Sequence, residues 1–227
     1  MQGSRREIQG SSARGGECSV DSFAICHIYS EANVSSCNAP CPSAVEALYS
    51  STANPITSLL ALEGIKSLAQ SLPTIVDNPA DAEARSNALY GAWLCASCLG
   101  TVGMALHHKL CHTLGGSFNL PHAETHTIVL PHALAYNSKA ISRETLEKLA
   151  ESLPGSDGDP VKGLNVLLKK LGVKRALKEF GMKEEDVDKA AEIATSNPYY
   201  NPRQIKKDEI REVIRRAVVG EEARADI

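Results

Sequence analysis

Six of the seven histidines fall in one stretch, HHKLCHTLGGSFNLPHAETHTIVLPH (107–132). Imidazole changes charge near neutral pH and can also ligate metals, so such a concentration points to chemistry. His108 and His112 are four residues apart and share one face of a helix. His122 and His126 repeat that spacing on the next helix. His107 stands about 100° round the helix from His108 and faces Cys111 instead. The intervening Leu114-Gly115-Gly116 can reverse the chain, laying the two helices antiparallel with their histidine pairs facing. The rings of His108, His112, His122 and His126 are then expected to converge on one cavity. It should be open to solvent on one side, with Asn119 or Glu124 among its exposed polar groups. Neutral imidazoles so placed suit a divalent metal, or can donate protons and hydrogen bonds to an anionic substrate. A lone histidine is more often structural, but five within residues 107–126, on two such pairs, argue for a site. His132, between Pro131 and Ala133, reads equally well as packing.

Other reactive side chains have plainer readings. Cys95-Ala-Ser-Cys98 sits inside a helical pattern with no second CxxC at zinc-ribbon spacing, so both are expected to be buried core thiols. Cys37 and Cys41 can form an adventitious disulfide or nothing. Glu124 can orient an imidazole, or be a first-turn acid favoured by the helix dipole. The basic run from Lys169 to Lys178 reads as a solvated helix face. Arg203 is a weaker candidate for binding a dicarboxylate.

The elements that must hold these residues are helical. Leu59, Leu60, Leu62, Ile65, Leu68, Ala69 and Leu72 recur at helical spacing until Pro73, which is expected to end the run. A second helix opens near Asp81 and runs to about Leu99. A third carries Val102 to Leu114 and is expected to stop at Gly115-Gly116. A fourth starts at Asn119 and Pro121, and a fifth at Ser142. Further helices are expected at 160–171, 184–195 and 206–219, with NPYYNPR (197–203) as a loop. Residues 1–37 are rich in Gly and Ser without helical or strand period, and are expected to be poorly ordered.

Composition narrows the class further. Of 227 residues, 43% are hydrophobic and 22% charged, enough apolar material for a core. Aromatics at 4% suit Ala- and Leu-packed helices better than a β-sandwich. A net charge of −3 with no basic block leaves no footprint for nucleic acid or an anionic membrane surface. There is no apolar run long enough to span a bilayer and no secretory signal after Arg5 and Arg6. Seven cysteines, an odd count, fit free thiols in a reducing compartment, so a cytoplasmic location is expected.

The histidine stretch resembles the iron-containing alcohol dehydrogenase family. Its members carry a helical His, a second His four residues on, a Gly-containing turn and a Pro-His. His108, His112, Gly115 and Pro121-His122 match without a gap. ALYGAWLCASCLG (88–100), MALHHKLCHTLGG (104–116) and LPHAETHTIVLPHALAYN (120–137) look like the maleylacetate reductase branch. AVEALYSSTANP (44–55) and NPYYNPR look right for it too, so the resemblance runs from about Ala44 to Gly220.

The resemblance implies an all-α helical bundle, like the C-terminal domain of iron-type alcohol dehydrogenases, over 44–227, after an atypical segment 1–43. It implies an oxidoreductase that reduces maleylacetate to 3-oxoadipate with NAD(P)H in aromatic-compound degradation. His112 and His126 take catalytic roles, and His108 and His122 bind the small dicarboxylate substrate. Residues contacting the cofactor stay unassigned, and a homodimer is admitted.

Two departures qualify this. The family's glycine-rich dinucleotide loop has no counterpart before residue 44, where Gly15-Gly16 stands alone. The family's metal takes an Asp and a His from a segment whose positions here are Ala39, or Asn38 with a slip, and Ser43. Iron or zinc would therefore rest on His108 and His122 alone, a residual pair. Two other readings stay open: a non-catalytic truncated paralogue or assembly partner, and a small histidine-rich metal-binding module.

Overall fold

A computed structural model describes residues 42–197 and 199–227. The expectation of disorder over 1–37 lies outside the described residues. Among the described residues every regular element is helical: α1 (Pro42–Ala47), α2 (Pro55–Asp77), α3 (Ala82–Leu99), α4 (Leu106–Phe118) and α5 (His122–Asn137). Four more follow: α6 (Arg143–Glu151), α7 (Pro160–Lys170), α8 (Val187–Thr195) and α9 (Lys207–Val219). The all-α expectation holds. No helix among the described residues is long and apolar enough to cross a membrane.

Local chemistry explains most boundaries. Asn54 caps α2 by accepting from the Ile56 and Thr57 amides, with the Thr57 hydroxyl closing a capping box. Asp81 caps α3 at the Ala84 amide, and Ser142 caps α6 at Thr145. Two expectations fail. Pro73 does not end α2, which runs four residues further. Its ring costs one backbone bond, on the order of 3 kcal/mol, but burial of Leu72 and Ile75 carries the helix on. Nor do Gly115 and Gly116 end α4. Both are helical, and the turn comes at Asn119, whose φ of 52° and ψ of 35° are left-handed. Asparagine tolerates that conformation as a C-cap better than most residues.

Two apolar clusters meet at α5. Leu130, Leu134 and Ala135 pack into a core with α1, α2, α3 and α7. Ile128, Val129, Ala133 and Tyr136 pack into a second core with α4, α8 and α9. Every residue of α5 from Thr125 to Asn137 is buried, so this helix has no polar face and runs through the middle of the bundle. Helices α2 and α3 approach closely because Gly64 and Gly91 face each other. A Cβ on Gly64 would lie 2.7 Å from the Cys95 sulfur. Cys95 and Cys98 are fully buried, as expected of core thiols.

Candidate active site

Glu46 organises the site. It lies on α1 within Ala44-Val45-Glu46-Ala47, all with no exposure. A carboxylate there needs donors, and the start of α4 supplies them. Ala105, the N-cap of α4, has no side chain able to cap its own helix. Glu46 Oε2 accepts the Ala105 amide at 3.0 Å, and Oε1 accepts the His107 amide at 2.7 Å. Oε2 also accepts from His108 Nδ1 at 2.6 Å. The carboxylate thus caps α4 from across the fold, where the helix dipole favours a negative charge. Burial pushes its pKa up. The His108 hydrogen bond, the charges of His107 and His108 and the Ala105 amide outweigh that and hold it below the ordinary value.

Tautomers follow from these partners. A carboxylate can only accept, so His108 Nδ1 carries a proton, and in the neutral ring the lone pair lies on Nε2. The nearest group to His108 Nε2 is the Ser43 hydroxyl, at 3.4 Å. His107 Nε2 donates to the backbone carbonyl of His126 at 3.0 Å, leaving Nδ1 as the acceptor. His107 does lie near Cys111, 3.5 Å from its sulfur. It does not face away from the cluster, however: its ring stands 5.3 Å from that of His108 and 4.9 Å from that of His126. The rings of His108 and His126 are 5.2 Å apart, closing a triangle of near-perpendicular rings.

The four histidines singled out by spacing also come together. His112 stands 6.2 Å from His108, and His122 stands 4.1 Å from His126, centroid to centroid. His108 and His126 are buried, whereas His112 and His122 are exposed. The outer two line an open cavity of about 430 Å³ with Cys111, Gly115, Gly116 and Leu120. Neither Asn119 nor Glu124 lines it. Burial, followed by the charge of His108, lowers the His107 pKa to about 4. Burial also drives His126 far below the ordinary imidazole range, helped by the charges of His107 and His122.

His132 takes no part. It is buried elsewhere on α5, lowered to about 3 by burial and then by the charges of Arg175 and Arg216. Arg203 is committed as well. Its guanidinium stacks on Tyr136, pairs with Glu209 at 2.9 Å and donates to the carbonyls of Tyr136 and Ile227. That clips the C-terminus and leaves the histidines out of reach. The NPYYNPR loop instead braces the site. Asn201 exchanges side-chain hydrogen bonds with Asn137, and the Tyr200 hydroxyl donates to the Tyr49 carbonyl. Spacing alone missed Glu46 and the inward role of His107. A signal for Glu46 was present: an acid inside the apolar run Ala44–Leu48 has to be buried with partners.

Residues 42–218 match the family described as "Fe-containing alcohol dehydrogenase family, C-terminal". A maleylacetate reductase of Delftia acidovorans is 55% identical over 178 residues, covering 78% of this chain and 50% of that enzyme. The crystal structure of a putative alcohol dehydrogenase from Ralstonia eutropha superposes with a TM-score of 0.79 at 51% identity, covering 83% of this chain and 53% of the other. That of a maleylacetate reductase from a Rhizobium strain gives 0.78 at 45% identity, with the same coverage. The chain spans about half the length of the curated relatives it matches.

Proposed function

Because the chain belongs to the iron-containing alcohol dehydrogenase family through its C-terminal helical domain, we propose that it supplies the substrate-side half of an NAD(P)H-dependent oxidoreductase of the maleylacetate reductase type. The observation carrying this is the meeting of five imidazoles at the junction of α4 and α5, beside an open cavity. The substrate is a small dicarboxylate, maleylacetate, reduced to 3-oxoadipate. The exposed His122 holds the dianion at the cavity wall, and His108, whose Nε2 carries only a lone pair, contributes to substrate binding by shaping the pocket. His112 delivers the proton, since it is the exposed ring reaching the cavity from α4. His126, kept neutral, donates a hydrogen bond toward the oxygen where negative charge develops. Glu46 acts through His108 by holding its tautomer and orientation.

The nicotinamide, when bound, supplies hydride. Its phosphates have no cradle among the described residues, which contain no strand–glycine loop–helix unit. In this reading they are held by polypeptide outside this domain, which we place at residues 44–227 after an atypical segment 1–43. Iron or zinc at the family's metal position does not fit the donors present. Ser43 Oγ, nearly buried, stands 3.4 Å from His108 Nε2 where a histidine ligand would be needed. A neutral hydroxyl is a poor replacement. The chemistry is therefore assigned to the imidazoles.

The lack of a phosphate cradle among the described residues also favours a second reading, a non-catalytic partner of a full-length relative. Titrating the chain with maleate separates the two. The first reading expects saturable shifts of the His112 and His122 ring protons in NMR and no fluorescence enhancement with NADH. No perturbation by maleate would leave only the second. Micromolar NADH binding would overturn the assignment of the phosphates elsewhere.

A further inference from the structure

His107 Nδ1 and His126 Nε2 are both buried with no hydrogen-bond partner among the described residues. Leaving such a nitrogen unmet costs about 1–3 kcal/mol, so two of them in one triangle of rings call for a reason. The third ring has its Nε2 loosely held, 3.4 Å from Ser43 Oγ. One donor atom from each of His107, His108 and His126 lies within 4.8 Å of the other two.

We propose that His107, His108 and His126 form a binding site for a divalent transition ion, zinc foremost, a ligand set that shares His108 with the pair the family resemblance implies but uses His107 and His126 in place of His122. Neutral imidazole nitrogen is a preferred donor for zinc, and three of them leave a fourth position for water or the Ser43 hydroxyl. Metal-bound histidines usually give their other N–H to a carboxylate or backbone carbonyl. Here His108 gives Nδ1–H to Glu46 and His107 gives Nε2–H to the His126 carbonyl. Both tautomers are thus fixed with the free lone pair on the nitrogen not yet used. The fully buried Glu46 carboxylate sets a negative charge against the ion's two positive ones. A tetrahedral zinc brings its nitrogens to about 3.3 Å from one another, so the rings must close inward by small side-chain rotations. Entry is from the open cavity through His122, whose ring stands 4.1 Å from that of His126. The inference does not rest on the reductase reading, and the maleate titration is done on the metal-stripped chain.

Calorimetric titration of the metal-stripped 227-residue chain with zinc, and with cobalt(II) as a visible probe, is the test. One equivalent should bind, and the cobalt form should show the absorption of a tetrahedral site. His107→Asn and His126→Asn should each weaken binding at least about tenfold, Glu46→Gln should weaken it about 10–100-fold, and His122→Asn should change it less than about threefold. If a core substitution unfolds the chain by circular dichroism, imidazole ¹⁵N spectra of the wild type decide. Zinc should shift His107 Nδ1 and His126 Nε2. No binding at millimolar zinc, ring shifts confined to His112 and His122, or a loss in His122→Asn as large as in His126→Asn would overturn the proposal.

Discussion

The inner and outer halves of the histidine cluster use one residue type for opposite purposes. His107, His108 and His126 are packed against one another around a carboxylate, with hydrogen bonds that settle the tautomers of the first two. His112 and His122 sit one helical turn from His108 and His126 and reach an open cavity. The inner rings gain their properties from desolvation, which holds His107 and His126 neutral. The outer rings keep access to solvent. A turn of helix is enough to separate a buried, lone-pair-presenting histidine from a solvent-exposed one.

Removing the carboxylate should separate the halves most sharply. Glu46→Ala leaves the Ala105 and His107 amides and the His108 ring without their acceptor, and should cost about 3–5 kcal/mol. Urea unfolding measures it, and a loss below about 1 kcal/mol would show that the inner half does not depend on Glu46.

Acid should then strain the interior. His107 and His132 are lowered by burial to about 4 and about 3, against an ordinary 6.5. Above 6.5 both are neutral whether folded or not, so they leave stability unchanged. Below it the unfolded chain takes up protons that the folded chain refuses. Stability therefore falls as pH falls, by about 1.4 kcal/mol per pH unit for each ring, until its folded pKa is reached. Unfolding free energies at pH 6.5 and pH 5.5 should differ by about 2 kcal/mol from these two alone, since the unfolded rings are already half protonated at pH 6.5. His132→Gln should remove about half of that; an unchanged slope would place His132 in contact with water.

The turn between α4 and α5 offers a test of sign. Gly115 and Gly116 are helical, and an added Cβ meets Leu120 O at an ordinary 3.7 Å in one case and nothing in the other. Gly116→Ala should stabilise the chain by up to about 1 kcal/mol in thermal unfolding. Asn119→Ala should destabilise it by about 1 kcal/mol at the left-handed position. The reverse pattern would move the turn back to the glycines.

The smallest effect on stability belongs to the outer half. His112→Ala and His122→Ala should each change unfolding free energy by less than about 0.5 kcal/mol while abolishing the maleate-induced shifts. In a full-length relative, replacing the residue aligned with His112 should lower turnover far more than replacing the one aligned with His132. Equal losses would remove His112 from the chemistry.

Local periodicity and cap chemistry were enough to read the helices, because caps such as Asn54, Asp81 and Ser142 and the apolar spacing act within a turn or two. The same applies to the paired histidines, since residues four apart share a helix face whatever the fold, and to the family motif they belong to. Where Pro73 and Gly115-Gly116 misled, burial of Leu72 and Ile75 and the left-handed Asn119 outweighed the local breaker signals. Which histidines face inward, and what holds them, came only from tertiary structure. Glu46 meets its donors at Ala105, His107 and His108 across 59, 61 and 62 residues of chain. No local pattern encodes a contact at that range. It exists because α1, α4 and α5 pack together and leave a buried carboxylate and three buried imidazoles to satisfy one another.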